Sequence, residues 1–325
     1  MTSPLNEYRN FLGVYNSCDP TRIPVGRGGT YLAVGENVDI DDEKMIHRRK
    51  GSRVLLSGDV HSLWSNDKLC FFCDGGNLKR LYEDYSSEVL LGGLNPRDRM
   101  TFVEAGGIII FSNKAIVGFI EDGTPHPFPN PGMKFKKRMV GGHHLEYFNS
   151  RIYAAQNNKI FYSDATDIMR MDTRKNFLPF TGWITMLKAV ADGLYVGAGD
   201  EVNFLAGSDP LLDGGFLFNK LDHVNRVIEG SAVKCEGEDV GPDTQGTVIY
   251  WATEVDVYKG LPGGQIKSAK GAHLTPNAEK GSAVISWDRG YQQYLFVYEF
   301  REATGGGELK LEVKPPTINL RGTTS

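Results

Sequence analysis

Four groups of residues have types and spacings that bear on chemistry. Cys70 and Cys73 show the C-x-x-C spacing of zinc and redox sites, but Phe71 and Phe72 between them place the pair inside a strand. Residues three apart on a strand point to opposite faces, so these thiols make a poor metal site, and with no second C-x-x-C pair they read as ordinary buried cysteines. His143 and His144 are adjacent, and neighbouring strand residues also face opposite ways, which makes them poor co-ligands. The acidic runs Asp164-Ala165-Thr166-Asp167 and Asp239-Val240-Gly241-Pro242-Asp243 lack the D-x-[DN]-x-[DN]-G pattern of a calcium loop and read as turn caps. The fourth group, Lys134-Phe135-Lys136-Lys137-Arg138, sets four positive charges in five residues. Such a run suits contact with phosphates, or equally a lysine-guarded edge strand; His47-Arg48-Arg49-Lys50 reads in the same way.

No G-x-S-x-G, H-E-x-x-H, Walker or dinucleotide-binding motif occurs. The carboxylates fall mostly in turns, and no arginine recurs at a fixed strand position as a glycan-hydrolysing site would need. The expectation is a protein that is not an enzyme and takes no cofactor or metal. A formal charge of −4 over 325 residues names no nucleic-acid or membrane partner. A hydrophobic fraction of 40% with 11% aromatics is enough for a core, and no apolar run reaches the ~18 residues of a spanning helix. The N-terminus, Met1 to Glu7, lacks the basic and apolar regions of a secretory signal.

The elements that position these groups are strands. Arg151 to Ala155 and Lys159 to Ser163 flank Gln156-Asn157-Asn158, and aromatic and β-branched residues on both sides of a polar gap make a tight hairpin. The same pattern recurs at Leu69–Cys73 with Leu78–Tyr82, at Ile108–Phe111 with Ala115–Ile120, and at Leu194–Gly197 with Glu201–Leu205. Weaker copies lie at Val248–Trp251 with Val255–Tyr258 and at Tyr294–Tyr298. The steps between them are about 39, 44, 42, 54 and 46 residues, close to the roughly 40–50 residue period of propeller blades. A lone hairpin is marginal in water, whereas stacked units bury each other's apolar faces. The expected fold is all-β: a β-propeller of six or seven four-stranded blades with an irregular N-terminal arm.

Residues 1–50 form that arm and the first strands, and 51–325 form the propeller, closed by N- and C-terminal strands. The arm holds Asp19-Pro20-Thr21-Arg22-Ile23-Pro24, a breaker-rich stretch, and then strands around Val38–Ile40 and Met45–Gly51 that read as the start of the first blade. Thr124 to Gly132 contains four prolines, Pro125, Pro127, Pro129 and Pro131. Proline lacks an amide donor, so this stretch is expected to stay out of any sheet ladder, as a stiff link between blades or as a docking segment. After Gly305-Gly306-Gly307, the alternation in Leu309–Lys314 predicts a strand that completes a blade, with the last residues free or docked on a neighbour.

Two stretches carry a family resemblance. The run NVDIDDEKMIHRRKGS, preceded by DPTRIPVGRGG, and the segment EYFNSRIYAAQNNKIFYSDATD resemble the signatures of a group of bacteriophage tail proteins. The resemblance covers roughly residues 18–52 and 145–210, and it implies a propeller of the nozzle or hub type. The implied role is a structural part of the virion tail or head-to-tail conduit, made in the host cytoplasm. Copies would form a homo-oligomeric ring, a hexamer being one candidate, around the DNA channel, holding the genome and assisting its ejection. Other tail proteins are the implied partners, with transient, sequence-independent contact to the DNA. Candidate subunit-docking residues are Pro20, Arg22, Pro24, Pro127, Pro129 and Pro131, and candidate DNA-facing cations are Lys134, Lys136, Lys137 and Arg138. The chain is shorter than nozzle proteins, which carry further fibre-docking domains. The alternatives are a propeller interaction module that binds a peptide or glycan, and a glycan-active enzyme.

Overall fold

The computed structural model describes residues 10–15, 18–23, 29–32, 38–40, 45–48, 54–211, 215–222, 224–241, 244–269, 276, 278–288, 291–298 and 317–321. Contacts divide the chain into two compact units, one of residues 53–221 and the other of 1–52 with 222–325. The first holds four sheets of four antiparallel strands, each joined in chain order. Their strands are Val60–Ser65, Cys70–Asp74, Asn77–Leu81 and Ser87–Leu91; then Thr101–Ala105, Ile108–Ser112, Val117–Glu121 and Thr124–Pro127. The third sheet has His144–Phe148, Arg151–Gln156, Lys159–Tyr162 and Phe177–Pro179, and the fourth has Ile184–Val190, Gly193–Ala198, Glu201–Ala206 and Leu217–Lys220. The second unit holds a fifth such sheet, Val233–Gly241, Thr244–Ala252, Val257–Gly260 and Ile266–Ser268, and a three-stranded one, Gly281–Asp288, Tyr291–Tyr298 and Thr317–Arg321. Up-and-down antiparallel sheets of this size, repeated in sequence, are propeller blades.

Every hairpin repeat in the sequence supplies the two inner strands of one sheet, except that the last supplies the middle strand of three. Inner strands are buried on both faces, which is why they carry the densest apolar runs. The turns follow from strand twist. Gln156 pairs with Lys159 across Asn157-Asn158, and Asn157 takes φ 57°, a left-handed conformation that asparagine tolerates. Asn149-Ser150 (φ 45° and 63°) and Asp122-Gly123 (φ 48° and 79°) adopt positive φ at both loop residues, matching the type I′ hairpin turn.

Neighbouring sheets share cores. Phe71, Leu78, Phe102, Ile109 and Phe111 pack the first sheet on the second, and Ile110, Phe128, Met139, Leu145 and Ile152 pack the second on the third. Tyr153, Ile160, Leu187, Leu194 and Val196 join the third to the fourth. In the second unit Val248, Tyr250, Tyr294 and Phe296 join its two large sheets.

The structure corrects three expectations. The proline-rich stretch does enter a ladder: Thr124–Pro127 is the outer strand of the second sheet, with Phe119 opposite His126 and Ile120 opposite Pro125. Pro125 and Pro127 fall at alternate positions of an edge strand, where the missing amides face away from the partner and break no ladder bond. Strands Val38–Ile40 and Ile46–Arg48 pair as a separate two-stranded sheet rather than opening the first blade. His143 and His144 do not diverge: their rings lie 4.9 Å apart, because His143 precedes the strand that starts at His144. Near the C-terminus a strand, Thr317–Arg321, pairs with Tyr291–Tyr298. The expected strand at 309–314 lies outside the described residues.

Cys73 is buried and burial pushes its thiol up to about 11, while Cys70 is half-buried and is raised by the same cause. Among the described residues no group of histidine, cysteine and carboxylate side chains is placed to hold a metal, and no helix is long and apolar enough to cross a membrane.

Candidate functional site: a cation-lined cavity

Within the 53–221 unit the proline-rich and basic stretches meet at one cavity of about 630 Å³. Three pieces of chain build it. The outer strand of the second sheet gives Pro125, His126 and Pro127; the turn after that sheet's second strand gives Lys114, Ala115 and Ile116; and Lys137, Arg138, Met139, Val140 and Gly141 form the third side. Phe111, Val117 and Leu91 supply apolar wall, and Gln156 and Thr173 supply polar atoms.

Local rules explain each piece. Asn113 forms an Asx turn, its side-chain oxygen accepting from the amides of Ala115 (2.8 Å) and Ile116 (2.9 Å), which fixes the loop carrying Lys114. Lys114 holds its ammonium 4.9 Å from the Trp183 ring centroid, a cation–π contact. Ser112 accepts from the amide of Gly142 (2.8 Å) and donates to its carbonyl (3.1 Å), drawing residues 139–142 against the second sheet. Gly141 permits the approach, since a Cβ there would lie 2.7 Å from the carbonyl oxygens of both Asn113 and Ile116. Lys136–Arg138 is a short strand paired antiparallel with Arg170–Asp172, Lys137 standing opposite Met171.

The predicted cations therefore have different fates. Lys136 is neutralised by an ion pair with Asp164. Lys134 is exposed and lies 5.3 Å from the Phe135 ring. Lys137 and Arg138 are exposed on the cavity wall and have no ion-pair partner among the described residues. With Lys114 they give a lining of three cations and no carboxylate, in a protein whose net charge is −4.

The docking candidates divide in the same way. Pro127 and Pro129 are exposed, Pro131 is half-buried, and only Pro127 reaches the cavity. Pro20 opens the one-turn 3-10 helix Pro20–Arg22, capped by Asp19, whose side chain accepts from the Thr21 amide at 2.9 Å. Arg22 is exposed, and Pro24 lies outside the described residues. In the sequence Lys114 and Gln156 stand only as turn residues of their hairpins and His126 as one residue of the proline-rich run, so nothing marks them as site residues.

A second cluster underlies the R-I-Y-A-A and Y-S-D signatures. Arg151 donates to the Ser163 carbonyl (2.7 Å) and twice to one Asp209 oxygen (2.7 and 3.1 Å). The Ser163 hydroxyl accepts from the Ile152 amide (2.9 Å) and donates to the Asp164 carbonyl (3.2 Å). Asp164 in turn receives Lys136 and the Asn176 amide. The Asp167 side chain accepts from the Met169 amide (3.1 Å), the turn-capping role read from the sequence. Elsewhere in the third sheet, burial lowers the pKa of His144 well below the ordinary imidazole value, with the His143 ring adding to the effect.

No protein-family model matches the chain, and no curated protein does. Among solved structures the chain is similar to BBS1N in its complex with ARL6DN, at 11% identity over 80% of this chain and 83% of that one, with a TM-score of 0.50. It is similar to virginiamycin B lyase from Staphylococcus aureus at 14% identity over 80% and 84%, with a TM-score of 0.45. It is also similar to the extracellular domain of BT4673 from B. thetaiotaomicron, at 14% identity and a TM-score of 0.47 over 74% of this chain. The chain spans about a third of that last protein's length, 32%. The likeness to BBS1N, at such identity, speaks for the fold alone, and with the sheet topology it makes the chain a β-propeller.

Proposed function

We propose that this propeller is a non-enzymatic structural component of a bacteriophage tail, lining the DNA conduit and binding neighbouring tail subunits. A propeller is an interaction scaffold, presenting loops and outer strands around a rigid stack of sheets. The observation that carries the narrower reading is the place of the resembling segment in the fold. Its R-I-Y-A-A and Y-S-D residues form the inner hairpin of the third sheet, and Arg151 ties that hairpin to Asp209 beyond the fourth sheet's third strand. The signature residues therefore build the scaffold, as expected of a motif inherited with a structural role. Exposed apolar residues on outer strands, Val89 in the first sheet and Leu217 with Phe218 in the fourth, suit contact with other subunits. Lys134, Lys137 and Arg138 are the cations left for weak contact with passing DNA phosphates, Lys136 already being paired.

Immunogold electron microscopy with antibody to the purified chain tests this. The expected result is label confined to virion tails or collars. Protein found only outside intact particles would overturn the reading and favour a cellular interaction module.

A further inference from the structure

We infer that the cavity walled by Lys114, Lys137, Arg138 and Pro127 is a binding site for a small amphiphilic anion, a carboxylate, sulfonate or phosphate monoester on an apolar body. The inference stands whether or not the chain is a tail component.

Size, charge and shape each point to such a ligand. A volume of about 630 Å³ lies within the range of small-molecule sites, roughly 300–1,000 Å³, which are mostly apolar with a few convergent polar groups. Here Phe111, Ile116, Val117 and Met139 provide apolar wall. The three cations have no carboxylate among them, and Lys137 and Arg138 have no ion-pair partner among the described residues, so their charge is available to a ligand. Arg138 supplies a fork suited to bidentate capture of an oxyanion, while Lys114, resting on Trp183, is held in place before a ligand arrives. Gln156 donates only a long bond, 3.4 Å, to the Gly141 carbonyl, leaving its amide able to turn toward a ligand.

The shape argues against an extended peptide. A peptide recruited to this wall as an added strand would need amide donors along the outer strand of the second sheet. Pro125 and Pro127 have none, and the register with Val117–Glu121 places these two positions on the outward side of that strand. A compact anion needs no such ladder.

The test uses the intact chain and two fluorescent probes, 1-anilinonaphthalene-8-sulfonate and the uncharged N-phenyl-1-naphthylamine. The sulfonate should bind one per chain, at least about ten-fold more tightly than the neutral probe, the scale of one charge-assisted contact. Lys137→Gln and Arg138→Gln should each weaken it about ten-fold, and Lys134→Gln, outside the cavity, should leave it unchanged. Ala115→Trp, on the exposed lip of the cavity, should block both probes while the melting temperature stays that of the parent. Equal affinity for the two probes would overturn the anion assignment. Sulfonate binding untouched by Lys137→Gln, Arg138→Gln and Ala115→Trp together would overturn the site.

Discussion

The inner hairpins of the first and third sheets share a topology but handle charge in opposite ways. In the third, Arg151 and Asp209 form an ion pair whose side chains are only 6% and 14% exposed, and it bridges the third sheet to the segment beyond the third strand of the fourth. In the first, Lys79 and Asp74 pair at 2.7 Å with side chains 20% and 29% exposed, and both belong to one hairpin. A buried charge held by several partners cannot lose one without leaving the other stranded in a poorly solvating place. A pair at the rim of a single hairpin can fall back on water. The same backbone unit thus uses one ion pair to join sheets and another merely to decorate a surface.

The strongest way to break this contrast is at Arg151. Arg151→Met keeps the stem but leaves Asp209 without its guanidinium and the Ser163 carbonyl without its donor. The expected cost is about 3–5 kcal/mol of unfolding free energy, measured by urea titration. A loss no larger than that of a surface substitution would show that the bridge is ornamental and that apolar contacts alone join the third and fourth sheets.

A substitution two residues along sharpens the point and has the opposite sign. Tyr153 is fully buried and its hydroxyl has no hydrogen-bond partner among the described residues, while burial holds its pKa well above the ordinary phenol value. Its ring packs between Phe148, Tyr162 and Phe216. Tyr153→Phe removes a desolvated polar atom and keeps the ring, so the protein should be as stable as the parent or gain about 1 kcal/mol. A clear loss would reveal a partner for the hydroxyl, such as buried water, and would make the third sheet's core more polar than its side chains suggest.

These two residues also mark how far the sequence could be read. Tyr153 was legible as part of a strand, because the aromatic and β-branched residues of Arg151–Ala155 belong to a short local hairpin. Strand pairing within a hairpin leaves a periodic trace, and each of the six repeats found by it supplies inner strands of one sheet, the last a single middle strand. Arg151 was not legible as a bridge, since Asp209 is 58 positions away and lies in no repeat. The cavity escaped for the same reason: its walls run from Leu91 to Thr173, and nothing in the local pattern brings Lys114 beside Lys137. Thr124–Pro127 was misread because proline's effect depends on which side of a strand is paired, and that is set by the neighbouring strand. Outer strands, with one free edge and mixed composition, carry the weakest local signal.

The smallest effect belongs to the first sheet's pair, and its pH dependence separates it from the buried one. The hydrogen bond from Lys79 is the main influence lowering the Asp74 carboxyl below its usual value, with the charge of Lys79 adding to it. A carboxylate depressed in the folded state contributes stability that is present above its unfolded pKa and lost as pH falls through its folded one. Lys79→Met should therefore shift the melting temperature slightly downward at neutral pH, by too little to rival Arg151→Met. The difference from the parent should close as the solution is acidified below the carboxylate range, and added salt at pH 7 should close it as well, since solvent ions reach this pair. A difference that persists at low pH or in high salt would mean that the Lys79 stem, lying along the Phe72 strand, stabilises the hairpin by packing instead of by charge, and the two hairpins would then differ in kind of contact and not only in its depth.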